Sequence, residues 1–283
     1  MAQRLKRRRG NIGRRPIIGS EMPSAMKLSD LRQALVPAAV FLAILIFWEG
    51  LTTLLGTPEF ILPKPSAIAQ TLWENRPFLW PHIGQTMLEV VLGISLAIVI
   101  GLLTAALLEL SPFLRQAFYP LLVVSQTVPI LALAPLLVIW FGFGIVPKLL
   151  VVTLFCYFPI AINTTDGFTA AEPEQIDLLK SMGASRVQIW RMVKLPAALP
   201  YFFSGLKIAA TYSVVGAVIG EWVGAKQGLG IYLLRSGAAF KTAQVFGAIA
   251  IISLLSIMLF LIVFQLERWT LPWYFAGRQK DNG

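Results

Sequence analysis

Cysteine and histidine are almost absent: Cys156 and His82 are the only two in 283 residues. A Cys/His zinc site and an internal disulfide are therefore excluded, and no metal or cofactor is expected. Charge is scarce as well, at 13% of residues where soluble domains carry about 25%. No G-x-x-x-x-G-K-[ST] phosphate loop occurs, so the chain is not expected to hydrolyse nucleotides by itself. Nor do the single His, the lone Cys and scattered carboxylates make a nucleophile–base pair at useful spacing, which argues against a membrane-embedded enzyme. Apolar residues dominate instead. They make up 57% of the chain, mean hydropathy is +0.72, and several runs exceed the roughly 18 residues that mark a membrane span. This is the composition of an integral membrane protein.

The net charge is +10, yet nine of the 24 Lys and Arg lie in residues 1–32, which marks a cytoplasmic end rather than a nucleic-acid surface. A basic start before an apolar run resembles a signal peptide. The run at 34–55 is too long for that, and no clear A-x-A site follows, so it reads as a retained first helix. Five further spans are predicted at 84–108, 118–141, 147–165, 198–222 and 243–266, each able to cross a hydrocarbon core of about 30 Å. Six spans put both termini on one side. With the N-terminus inside, 18 Lys/Arg face the cytoplasm and six face out, which supports that orientation. The expected organisation is a basic tail at 1–33, an all-α, six-helix membrane domain at 34–273 and a short cytoplasmic tail at 274–283.

Within the third span, Pro129 and Pro135 each remove a backbone donor. The segment is either a kinked structural helix or packs against protein and lines a cavity, since freed carbonyls facing lipid are costly. Small residues recur every fourth position at Gly93, Ala97, Gly101 and Ala105, and again at Gly216, Gly220 and Gly224, as where helix backbones approach closely.

The loop at 166–197 is long, polar and patterned. Thr169 and Glu172 match a capping box for a helix starting near Ala170, with Pro173 in its first turn. Ile176, Leu179 and Met182 follow at helical spacing, and Gly183 suits a C-terminal cap. Ser185 and Gln188 match a second capping box, Ile189 and Val193 supply an apolar edge, and Pro196 is expected to stop that helix. The product is a helix–turn–helix finger with a basic rim of Arg186, Arg191 and Lys194. Composition alone leaves two partners open, a groove on another protein or anionic lipid headgroups.

Here the residues resemble a known family. Asp177-Leu178-Leu179, three residues, Gly183, nine residues and Val193-Lys194-Leu195-Pro196 resemble the E-A-A-x3-G-x9-I-x-L-P loop of permease subunits of bacterial ABC importers. Glycine, spacing and the closing Leu-Pro match. The leading triplet departs, with Asp for Glu and two leucines for two alanines, which alters the surface offered to a partner. The likeness extends from Phe60 to Trp273. Leu62-Pro63-Lys64-Pro65-Ser66, Trp140-Phe141-Gly142-Phe143-Gly144, Phe158-Pro159-Ile160, Leu195 to Pro200 and Leu266-Glu267-Arg268 resemble the nitrate/sulfonate/taurine/pyrimidine-precursor branch. The resemblance implies a type I importer permease fold in a bacterial inner membrane. It implies a homodimeric core, a periplasmic or lipid-anchored solute-binding protein, and a separate ATP-binding cassette subunit. That subunit would grip the finger through Asp177, Leu178, Leu179, Gly183, Ala184, Ser185, Arg186, Val193, Leu195 and Pro196.

Ionisable residues inside spans are functional candidates by default. Glu49, Glu89 and Glu109 fit interfacial or structural roles, whereas Glu221, beside the small-residue stripe, fits a pathway or gate. Ser125, Gln126 and Thr127 near Pro129, with Tyr212 and Ser213 in the fifth span, could bond a passing polar solute or simply bond neighbouring helices. The string Ser204 to Ser213, with Gly220-Glu221-Trp222, resembles permeases for thiamine-pyrimidine precursors and related heterocycles; sulfonate, taurine or nitrate is the alternative. A secondary transporter working alone is a further reading, but such proteins usually carry ion-coupling sites and internal repeats, and no convincing repeat relates 34–141 to 147–266.

Overall fold

The computed structural model describes residues 28–275, so most of the expected tails at 1–33 and 274–283 lies outside the described residues. Every regular element among the described residues is helical. Helix α1, Leu28–Leu54, coincides with the first predicted span and belongs, up to Leu51, to a unit of its own.

The second unit begins at Thr52 and holds α2 Pro65–Leu110, α3 Pro112–Ser125, α4 Ile130–Phe141, α5 Ile145–Thr169, α6 Pro173–Ser181 and α7 Arg186–Ile189. A π-helical turn, Trp190–Lys194, then leads into α8 Leu195–Trp222, α9 Leu229–Ala238 and α10 Thr242–Thr270. Among the described residues five helices are long and apolar enough to cross a membrane, and the bent pair α3–α4 makes a sixth crossing if taken as one.

That pair is the third predicted span, and the kink expected from its prolines is a break at which the two halves meet at 97°. Proline chemistry explains the break. Pro129 has no N–H to donate and pushes the preceding residue out of the helical region. The chain closes instead with short turns from Thr127 N to Val124 O (3.0 Å) and Val128 N to Ser125 O (3.2 Å), and Pro129 becomes the extended residue that caps α4. Pro135, by contrast, is carried inside α4.

Helix α5 is the centre of the unit, packed along α8 on one side and α2 on the other. The first small-residue stripe is the α2–α5 seam. A Cβ at Gly93 would lie 2.4 Å from Val152 Cγ1 and one at Gly101 would lie 2.8 Å from Ile160 Cγ2, while Ala97 and Ala105 between them are fully buried. The second stripe belongs to the α5–α8 seam, where a Cβ on Gly220 would come within 3.1 Å of Lys148 Cα. Gly224 departs from that prediction: it lies beyond α8, with φ +84°, beneath the Phe143 ring. Val90, Val152, Cys156, Ile160, Ala209 and Val214 fill the seams.

Helix α2 starts nineteen residues before the predicted span, at Pro65, where a first-turn proline lacks only a donor that has no helical partner anyway. Pro77 and Pro81 are carried within it. This early half is held by packing of Leu79 and Ile83 against Tyr232 of α9 and Ala248 of α10. Helix α9 itself falls where the sequence reading had only a connecting loop.

Candidate functional site

The finger, α6 and α7 with the turn between them, stands at the end of the bundle where α2 and α10 finish. Its first cap differs from expectation. Helix α5 continues through Thr169, whose hydroxyl donates to Asp166 O at 2.7 Å, so Thr169 is not available to cap α6. Glu172 takes the cap position without a side-chain cap bond, and its carboxylate accepts from Gln175 Nε2 at 2.6 Å.

The tip follows the predicted pattern. Gly183 has φ +80°, Ala184 N–H bonds Leu179 O at 3.0 Å, and Gly183 N–H bonds Lys180 O at 2.9 Å, which together make a Schellman close. A Cβ on Gly183 would meet nothing within 4 Å, so backbone angle alone, not space, calls for glycine here. The second capping box forms as predicted: Gln188 N–H donates to Ser185 Oγ at 3.3 Å, and Ser185 N–H donates to Gln188 Oε1 at 2.7 Å.

Pro196 does not stop the second helix, contrary to expectation. The π turn inserts a wider loop of backbone, with Leu195 N–H reaching Trp190 O, and Pro196 then sits in the first turn of α8. The wider turn removes the carbonyl that the proline ring would strike. Helical chain is thus continuous from Arg186 to Trp222.

The residues singled out on the finger divide into tip and root. At the tip, Leu178 (61% exposed), Met182 (73%) and Val187 (65%), on either side of Gly183 in the chain, are large exposed apolar side chains. Asp177 accepts from Lys180 Nζ at 2.9 Å with both side chains exposed, Ser185 and Arg186 are exposed, and Leu179 and Ala184 are half-buried. At the root, Val193 is buried and Leu195 and Pro196 are half-buried. Lys194 pairs there with Glu109 at the end of α2, and Trp190 lies 6.1 Å from Phe168 of α5 between ring centres. Arg115 Nη2 also donates to Thr169 Oγ1 (3.2 Å), and Tyr119 OH donates to Asp166 Oδ1 (2.7 Å), tying α3 to α5.

The pathway candidates fall into three surroundings. Ser125 and Thr127 line a cavity of about 710 Å³ between α2, α3 and α5, with Gln126 exposed at the break. Tyr212 is exposed on α8, whereas the neighbouring Ser213 is fully buried and donates to Ala210 O of its own helix at 2.8 Å. Glu221 is fully buried: its Oε1 accepts from Thr86 Oγ1 at 2.6 Å, and its Oε2 accepts from the Gly230 N–H.

Around Glu221 the structure assembles a polar group at the far end of the bundle that sequence reasoning missed. His82 Nδ1 lies 2.7 Å from Gly228 O and 3.0 Å from Gly228 N, and Leu229 N–H donates to Thr86 Oγ1 at 2.9 Å. One turn further along, Lys148 Nζ of α5 donates to the buried Glu89 Oε1 at 2.8 Å. A signal for this group was present: His82, Thr86 and Glu89 share one helical face with the stripe that begins at Gly93. The Gly228-Leu229-Gly230 segment wraps the Glu221 carboxylate so closely that a Cβ on Gly228 would sit 2.1 Å from it. Together these bonds pin the start of α9 onto α2 and α8.

Comparison with known proteins agrees with this architecture. Residues 97–273 match the family described as binding-protein-dependent transport system inner membrane component. The chain is 38% identical over 242 residues to the formylaminopyrimidine transport permease ThiX of Halalkalibacterium halodurans, covering 85% of this chain and 96% of that one. Over 232 residues it is 35% identical to the riboflavin transport permease RibX of Chloroflexus aurantiacus, covering 81% and 87%. It is 30% identical over 235 residues to the taurine permease TauC of Escherichia coli, covering 81% and 86%. Among solved structures, the inward-facing MetNI methionine ABC transporter shares the fold at a TM-score of 0.57 and 20% identity, covering 73% of this chain and 97% of that one. The chain belongs to the binding-protein-dependent inner-membrane permeases and is a multi-pass permease subunit of an ABC importer.

Proposed function

We propose that this permease carries a pyrimidine precursor or a related heterocycle inward, driven by ATP hydrolysis in a separate subunit that grips the finger. The finger carries the reading. Three large apolar side chains are exposed near a glycine turn, as at a protein or membrane contact, and the likeness to ABC permeases favours the protein. In this reading Asp177, Leu178, Leu179, Ala184, Ser185 and Arg186 meet the ATP-binding cassette subunit, and Val193, Leu195 and Pro196 hold the finger to the bundle. Both termini are cytoplasmic, a second copy completes the translocation path, and a periplasmic or lipid-anchored binding protein delivers the solute to the opposite end. The heterocycle is favoured by the likeness to the formylaminopyrimidine and riboflavin permeases at 38% and 35% identity, above the taurine permease at 30%.

The test is a cysteine scan of 177–187 in the assembled complex. Leu178→Cys, Met182→Cys and Val187→Cys should crosslink to the ATPase, and Val193→Cys should not. Crosslinks to lipid alone at all three positions would refute the finger assignment. Proteoliposomes supply the second arm: uptake of labelled formylaminopyrimidine should require ATP, the ATPase and the binding protein. Uptake by this chain alone, down an ion gradient, would instead establish a secondary transporter.

A further inference from the structure

The cavity between α2, α3 and α5 is walled by Thr104 of α2, Phe118 and Ser125 of α3, Thr127 at the break and Tyr157 of α5; the rest of its lining is leucine and valine. At about 710 Å³ it is within the size of small-molecule sites, roughly 300–1,000 Å³. No charged side chain lines it. An anion such as a sulfonate or nitrate would leave water for an apolar wall with no cation to receive it, which is strongly unfavourable.

The hydroxyl groups define what would fit. Thr104 Oγ1 donates to Ile100 O at 2.9 Å, Ser125 Oγ to Leu121 O at 2.7 Å and Thr127 Oγ1 to Val124 O at 2.7 Å, so each spends its hydrogen on its own helix. These three residues therefore offer oxygen lone pairs. Tyr157 OH lies 3.3 Å from Thr104 Oγ1, and with the threonine hydrogen already committed, the phenol is the donor of that pair. The site is thus uncharged and rich in acceptors, with a single long, readily redirected donor, and the Phe118 and Tyr157 rings supply aromatic faces.

We propose that this cavity is a solute site within the permease for an uncharged, amino-substituted nitrogen heterocycle, with Tyr157 and Thr104 as its polar grip. Exocyclic N–H groups donate to the hydroxyl oxygens, the Tyr157 O–H turns to a ring nitrogen, and the ring stacks on the aromatic walls. Sulfonate and nitrate oxygens, which only accept, match neither the charge nor the donor balance. The inference rests on the importer reading above and adds the place where the solute pauses.

The experiment uses the complete complex of permease, ATPase and binding protein in proteoliposomes, with tritiated formylaminopyrimidine as probe. Tyr157→Phe and Thr104→Val should each lower ATP-driven uptake about tenfold, with complex assembly checked by size exclusion. Leu121→p-benzoylphenylalanine, placed in the cavity wall, should photolabel with the tritiated probe during turnover. Unaltered uptake in both variants would overturn the site, as would photolabelling of lipid or of a second permease copy instead of the probe. If the wild-type complex does not import the probe with ATP, the importer reading fails for this solute; if it imports and the variants behave as wild type, only the cavity assignment fails.

Discussion

Single residues at the far end of the bundle hold more of the structure than their number suggests. Glu221 is buried with both oxygens engaged, one by Thr86 and one by the backbone of Gly230. Glu221→Ala strands the Gly230 N–H in a closed interior and leaves the Thr86 hydroxyl only its longer bond to His82 O (3.1 Å), and a lost buried partner of this kind costs about 2–4 kcal/mol. The expected outcome is a lower unfolding midpoint in detergent, with Glu221→Gln losing less because its amide oxygen still accepts one of the two bonds. Gly228→Ala is the harsher change. Its φ is +136° and the new methyl would meet the Glu221 carboxylate, so the purified variant should show rapid proteolysis between α8 and α9. Sequence alone marked Glu221 as an intramembrane carboxylate and a pathway or gate candidate, but nothing in the chain order announced that residues 82–89 and 228–230 would close around it.

At the scale of elements, what repeats locally was legible and what depends on distant packing was not. The Gly183 turn and the Ser185–Gln188 cap are written within a few residues, and both form. The α3–α4 break was signalled by Pro129 but read as a kink, because one proline permits either outcome and only the neighbouring helices decide. The Thr169 cap failed for a related reason. Helix α5 runs on to Thr169 with α8 packed beside it: a Cβ on Gly167 would meet Ala198 Cα at 2.8 Å, and the 166–197 loop alone does not reveal that contact. The early start of α2 was missed because Pro77 and Pro81 look like breakers until Tyr232 and Ala248 are packed against the same segment. Gly183→Val tests the turn. Open space surrounds the new side chain, so the penalty is conformational, about 1–2 kcal/mol. Membrane insertion and the unfolding midpoint should change little, while ATP-driven uptake falls. Uptake at the wild-type rate would show that the finger tolerates a different tip.

For the whole molecule, the Lys194–Glu109 pair decides how firmly the finger is joined to the bundle. The Glu109 side chain is nearly buried, so Lys194→Met leaves an unpaired carboxylate at the root, whereas Glu109→Gln with Lys194→Met removes both charges. The double variant should therefore retain more uptake per ATP hydrolysed than Lys194→Met alone, as measured in proteoliposomes. Equal loss in both would place the effect in the lysine stem rather than the charge.

The π turn gives this arrangement a mechanical meaning. Because helix persists from Arg186 to Trp222, about 55 Å of chain at 1.5 Å per residue, no loop interrupts the path from the finger to the carboxylate that fastens α9. A rotation imposed at the finger end of such a crankshaft would be carried along one helix to its opposite bearing, where Glu221 fastens α9.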